Sequence, residues 1–320
     1  MYFTEPIHKF HEFSDMRKHL VMPILLSSWA LPSAAFAADY GLSGADDVGM
    51  VEMGLQRGGS VGVGVGWTFL NETNDENTDE TDDQSYANFR IEGVFSQPLT
   101  MYSSAQFDLG GEYYDTSGDD ERQIALGFAG LHLSARDPSK GLVGLFGGVS
   151  HGKTARDDQE NTAQWVGVEA QKYFERTTLY GQVGFAIGDV HSSPEEGFDK
   201  GYFARVVGRY FVDDDFRIQT ELSYLFAEDA IDAIDDIHTY GWGLRADKRI
   251  GDSRFYGYAA YNGFYLDTTT EGEKLTEHAV RLGVTRQFGP ATLFAQDRYG
   301  ATLDQPELVA RVTNWIEPLD

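Results

Sequence analysis

The stretch Ser60-Val61-Gly62-Val63-Gly64-Val65-Gly66-Trp67-Thr68-Phe69 decides the fold. Val61, Val63, Val65, Trp67 and Phe69 alternate with Gly62, Gly64, Gly66 and Thr68. Successive side chains of a strand point to opposite faces, so every bulky apolar group here lies on one face. A helix would scatter the same groups around its axis, and glycine costs a helix about 1 kcal/mol per residue against alanine. The three glycines are not a phosphate loop, because they lie within a strand and lack the turn and helix that phosphate binding needs. Their expected use is close packing between strands.

The same unit recurs along the chain. Met101, Ala105, Phe107, Leu109 and Tyr113 oppose Ser104, Gln106, Asp108 and Glu112, while Phe216, Ile218, Leu222, Tyr224 and Phe226 oppose Arg217, Gln219, Glu221 and Ser223. Similar segments occur at 86–97, 122–134, 142–152, 163–174, 178–189, 201–212, 237–249, 254–266, 276–288, 291–299 and 307–316, which makes fourteen strands, with twelve or sixteen as alternatives. Connections after odd-numbered strands are long and acidic, such as Asn71 to Gln84 with seven carboxylates and no base. Connections after even-numbered strands are short, such as Gln97-Pro98-Leu99, Asp213-Asp214-Asp215 and Gly289-Pro290. Long loops at one end and tight turns at the other predict an all-β chain, an antiparallel transmembrane β-barrel closed by an even strand count. Proline gives an independent check, since a closed barrel has no edge on which to hide a residue that cannot donate to the ladder. Pro98, Pro138, Pro194, Pro290, Pro306 and Pro318 all fall between the expected strands or beyond the last. A soluble β-sandwich or solenoid also alternates, but would not join an export signal to so many outward aromatic residues. Trp67, Phe107, Phe185, Ile218, Leu222 and Trp242 are expected to face lipid.

The remaining composition agrees. The chain has 36 Gly, 17 Tyr, 21 Phe and no Cys, a balance suited to extended aromatic-rich segments. No run of 18 apolar residues is available for a membrane helix. The net charge of −26 excludes nucleic acid as a partner, because phosphate binding needs a basic footprint. Arg17, Lys18 and His19 precede the apolar stretch Leu20 to Leu31, and Ala35-Phe36-Ala37 supplies a small-x-small cleavage pattern. Residues 1–37 therefore read as a signal peptide with an extended N-terminus, in which Met16 is a plausible start. Residues 38–58 read as a periplasmic tail or small plug, and 59–317 as the barrel. The expected destination is the cell outer membrane of a Gram-negative bacterium, with outer-membrane lipids and the barrel-assembly machinery as partners.

Strand parity then assigns the inward charges. Strands 2 and 3 direct Arg90, Glu92, Asp108 and Glu112 inward; strands 8 to 12 direct Arg205, Arg209, Arg217, Glu221, Arg245, Asp247, Arg249 and Arg281 inward. Arg298 and Arg311 would join them from two final strands. In a fourteen-stranded ring the carboxylates of strands 2 and 3 would face an arginine wall, with Arg90, Glu221 and Asp247 as exceptions near opposite charges.

On these residues the sequence resembles the general porins, whose constrictions set arginines against carboxylates. Its 283 residues after Ala37 (320 less 37) are also similar in length to the monomeric fourteen-stranded porins. The resemblance is one of pattern over Ser60 to Ile316, without a diagnostic motif. It implies passive diffusion of small hydrophilic solutes or ions through a monomer or homotrimer, with no cofactor and no enzymatic activity. Porin-like barrels end on an aromatic residue read by the assembly machinery, whereas here Glu317-Pro318-Leu319-Asp320 follows Trp315-Ile316. Two readings of the arginines stand: pore-lining groups that set a transverse field, or paired groups that satisfy a plugged lumen. In the first, an acidic mouth favours cations at low salt and the arginine wall decides as salt rises.

Two other functional classes compete. An outer-membrane hydrolase would use His near the rim, and Ser150-His151 is the suggestive pair, yet neighbours in a strand point to opposite faces. A structural or adhesion barrel would act through its loops, and Asn71 to Gln84 lacks the spaced ligands and glycine of a calcium loop. No zinc or nucleotide motif is present.

Overall fold

The computed structural model describes residues 54–73, 81–115, 123–154, 159–190, 198–229, 236–268 and 274–315. The strands are β1 Gly58–Thr73, β2 Thr81–Pro98, β3 Ser103–Asp115, β4 Gln123–Asp137, β5 Gly141–Thr154 and β6 Gln159–Tyr173. They continue as β7 Thr177–Val190, β8 Phe198–Asp213, β9 Phe216–Asp229, β10 Asp236–Arg249, β11 Phe255–Thr268 and β12 Lys274–Phe288. Each strand pairs antiparallel with its chain neighbours, and β1 pairs with β12 from Gly59↔Phe288 to Thr73↔Lys274, so the sheet closes on itself. The barrel therefore has twelve strands, not fourteen.

The two missing strands are helices. Residues 293–299 form α1 (Leu293–Tyr299) and residues 307–315 form α2 (Glu307–Trp315). Because β12 already pairs with β1, no free edge remains for a thirteenth strand. Chain inside the lumen must then satisfy its own N–H and C=O groups, which a helix does and a lone strand does not. Thr292 caps α1, its hydroxyl accepting from the Ala295 amide at 3.0 Å. In α2, Leu308, Val309, Ala310, Arg311 and Val312 are all buried, because wall surrounds the helix on every side. The apolar–polar alternation that suggested a strand there came from neighbours around a helix, all of them enclosed.

The outer surface follows the expected parity. Val61, Val63, Val65, Trp67, Ile91, Leu109, Val183, Val206, Leu222, Leu244 and Leu282 are exposed, and Trp67 and Leu222 are 54% and 69% accessible. Phe107, Phe185, Ile218 and Trp242 lie on the same face, half-covered by neighbours. So continuous an apolar band suits hydrocarbon and not water.

After Phe288 the chain turns inward. Gly289 adopts φ 90°, and a side chain there would overlap the Arg57 carbonyl, so only glycine serves at this corner. The last strand thus ends on an aromatic residue after all, and the carboxyl-terminal tetrapeptide lies beyond the barrel in sequence. Helix α1 sits near the short-turn rim, where Leu293 and Phe294 pack against Phe211 and Tyr256. Helix α2 sits near the opposite rim, where Leu308, Val309 and Val312 join Leu70, Tyr114, Leu225 and Phe264 in the main apolar cluster. Residues 290–315 therefore run the length of the lumen. The expected signal peptide, residues 38–53 of the expected tail or plug, and residues 74–80 of the acidic loop lie outside the described residues. Of the tail, Gln56 donates its amide to the Tyr299 carbonyl at 2.8 Å, beside the end of α1. The β1 glycines make room for side chains inside the barrel, since a Cβ at Gly64 would overlap the Tyr258 hydroxyl and one at Gly66 the Arg281 stem.

Candidate functional site

All the inward charges expected from parity point into the lumen, but they are arranged as pairs, not as facing walls. Arg90 reaches Glu92 at 3.2 Å and Glu112 at 3.6 Å, and it pairs with Glu307 of α2. Arg245 holds Asp247 at 2.9 Å and Glu92 at 3.2 Å, and Arg217 shares Asp247 at 2.9 Å. Arg205 pairs with Glu221 at 2.6 Å, Arg249 with Asp215 at 2.9 Å, and Arg281 with Glu112. For Arg281 the expected opposition of walls fails in a twelve-stranded ring for a geometric reason. Only β1 separates β12 from β2, so Arg281 lies beside the carboxylates and not across from them.

The C-terminal segment supplies much of the remaining pairing. Arg209 bonds Asp297 at 3.1 Å and Asp304 at 2.6 Å, and also donates to the Thr302 carbonyl at 2.7 Å and hydroxyl at 2.8 Å. Both of those carboxylates belong to the segment. Arg298 and Arg311 lie in the lumen as expected, though from helices. Arg311 pairs with Glu277 and, at 3.3 Å, Glu112, while Arg298 donates to the Phe174 carbonyl at 2.8 Å and the Thr178 hydroxyl at 2.9 Å. A buried charge left alone costs several kcal/mol, so wall and segment are each incomplete without the other.

A second cluster escaped the sequence reading. His132 on β4 is fully buried, with Nε2 2.7 Å from Asp108 and Nδ1 2.9 Å from Glu169 on β6. The Gln305 amide nitrogen lies 2.6 Å from His132 Nε2, and its oxygen accepts from Trp165 Nε1 at 2.8 Å. Tyr180 and Gln182 donate to Glu169 at 2.6 and 3.2 Å. The inward parity of β4 and β6 would have found His132 and Glu169. In β4 and β5, however, Gly and Ala occupy many positions on both faces and blur the alternation. Ser150 is buried inside and His151 points outward to the Thr162 hydroxyl at 3.1 Å, so this pair does not act together.

Between wall and segment lies a cavity of 170 Å³, lined by Arg90, Glu92, Arg217, Arg245, Asp304 and Glu307 among others. That is room for several waters or one small solute. Among the described residues, no group of His, Asp and Glu is disposed to hold a metal ion.

No protein-family model matches the chain, and no curated protein matches it in sequence. Solved structures do. The COG4313 outer membrane channel from Pseudomonas putida F1 superposes over 76% of this chain and 100% of its own, with a TM-score of 0.52 and 14% identity. The translocator domain of autotransporter NalP from Neisseria meningitidis matches 79% of this chain and 92% of its own, with a TM-score of 0.48 and 11% identity. The KdgM porin matches over 70% of this chain and 99% of its own, with a TM-score of 0.37 and 12% identity. At such identities the first likeness speaks for fold alone. It agrees with the closed ring, the apolar exterior and the polar interior: the chain folds as an outer-membrane β-barrel.

Proposed function

We propose that the protein is a channel for passive diffusion of small hydrophilic solutes or ions, closed in the state described by its own C-terminal segment. The observation that carries this reading is the inner wall of the barrel's mid-section. It is lined by Arg90, Glu92, Asp108, Arg205, Glu221 and Arg245 and borders a cavity, where a barrel serving only as a scaffold could be filled with apolar side chains. Residues 290–315 come after the barrel in sequence, and β12 closes on β1 without them, so the segment can leave without breaking the sheet. Polar contacts dominate its middle portion, and water entering the lumen can replace those contacts as the segment withdraws.

A second reading has one observation in its favour. Each of the expected pore-lining arginines has a carboxylate partner within 4.0 Å, as a permanently filled structural barrel would require. Planar-bilayer recording of the purified full chain separates the two. Stepwise conductance, rare in the parent and frequent when the segment is loosened, supports the channel. Silence in both the parent and a loosened variant supports the filled barrel and removes the channel reading.

A further inference from the structure

We infer that Arg205 and Arg209 on β8 form a carboxylate-binding site that Asp304 occupies as a tethered stand-in, and that small organic carboxylates are the solutes that displace it. This rests on the channel reading for its biological meaning, though the binding site is defined independently. Arg209 Nη2 holds one Asp304 oxygen at 2.6 Å, and Arg205 Nη2, which Glu221 of the wall holds at 2.6 Å, lies 3.5 Å from the same oxygen. Both guanidiniums stack over the Tyr180 ring, with Cζ 5.6 and 5.3 Å from its centre, which fixes their planes. Gln182 accepts from Arg205 Nη1 and Gln219 from Arg209 Nε, both at 3.0 Å, so two neutral wall residues help to orient the forks. A preorganised pair of guanidinium forks is the arrangement that recognises carboxylates.

Exposure shows which partner can be replaced. The two arginine side chains are 3% and 1% accessible, but Asp304 is 39% accessible and borders the cavity. Asp297 behaves differently, being 1% accessible and held also by Thr178 at 2.5 Å and Thr302 at 2.8 Å. A carboxylate entering the cavity therefore meets the Asp304 position first. The 170 Å³ available restricts it to a molecule of a few carbons. Once Asp304 is displaced, the 301–306 stretch keeps only its Thr302 contacts to Arg209, and withdrawal of the segment becomes easier.

Titration calorimetry of the full chain in detergent with sodium succinate tests this, against sodium chloride at equal ionic strength and the uncharged dimethyl ester. The parent should bind succinate saturably and neither control. Asp304→Asn removes the internal competitor, so it should bind succinate about tenfold more tightly. Arg209→Gln should lose binding, with its heat-dependent gel shift reporting whether the barrel has folded. Binding by Asp304→Asn no tighter than the parent's, or heats reproduced by chloride, overturns the proposal, and the Asp304→Asn result stands even where Arg209→Gln does not fold. Bilayer recordings of the same samples keep the two readings apart. Succinate binding with a silent bilayer sustains the site while removing the channel; conductance with no succinate binding does the reverse.

Discussion

Gly130→Ala should open the lumen without disturbing the barrel. Gly130 is an inward position of β4, directly beneath the side-chain amide of Gln305. A methyl group built there falls closer than 3.0 Å to the nitrogen, carbon and oxygen of that amide, so the amide must move. In moving it gives up the hydrogen bond from Trp165 at 2.8 Å and the contacts to Asp108 at 3.1 Å and His132 at 2.6 Å. A neutral hydrogen bond is worth about 0.5–1.5 kcal/mol and one to a charged group about 1.5–3 kcal/mol, and water recovers part of both, so docking of the segment should weaken by about 2–4 kcal/mol. At 1.4 kcal/mol per decade, the ratio of withdrawn to docked segment then rises roughly 30-fold to several-hundred-fold. Two assays read it: channel open probability in planar bilayers, and the rate at which protease cleaves within 301–315 in the folded barrel. The mechanism also requires non-additivity, because Gly130→Ala and Gln305→Ala remove the same contacts and the double variant should match Gln305→Ala alone. Unchanged cleavage in Gly130→Ala, or strictly additive effects in the double variant, would refute the reasoning.

Leu222 is 69% exposed near the middle of β9, so Leu222→Arg should cost about 2–4 kcal/mol in urea titrations of barrel folded into lipid; a loss below about 0.5 kcal/mol would place it outside the hydrocarbon. Arg311→Met leaves Glu277 buried without its partner and should weaken docking of α2 by about 3–5 kcal/mol, and adding Glu277→Gln should restore most of the loss. Protease sensitivity of the segment measures both, and equal sensitivity in the single and double variants would contradict the pairing. Thr292→Ala removes the cap of α1 and should cost that helix about 1 kcal/mol, visible as faster amide exchange at Ala295 and at Gln296.

The alternation through Val61, Val63, Val65 and Trp67 was enough to assign a lipid-facing side. The same parity carried Arg205, Arg245 and Glu112 to the inside, because a strand's period of two is set by local backbone geometry. Proline positions and the contrast between long and short connections likewise gave an antiparallel closed sheet of even strand number. What the local pattern could not reveal was where the ring closes. Whether Ser60 pairs with Gln287 of β12 or with a later strand is settled by contacts more than two hundred residues apart, and it alone determines that 291–315 has no sheet edge left to join. Leu308, Ala310 and Val312 satisfy a period of two as readily as burial on all sides of a helix, and the strand expected over 307–316 rested on the first of these alone. The partners of the arginines were beyond reach for the same reason. Inward direction is a property of each strand, but the meeting of Arg209 with Asp297 and Asp304 depends on a segment folded back through the lumen, and only the tertiary structure brings it there.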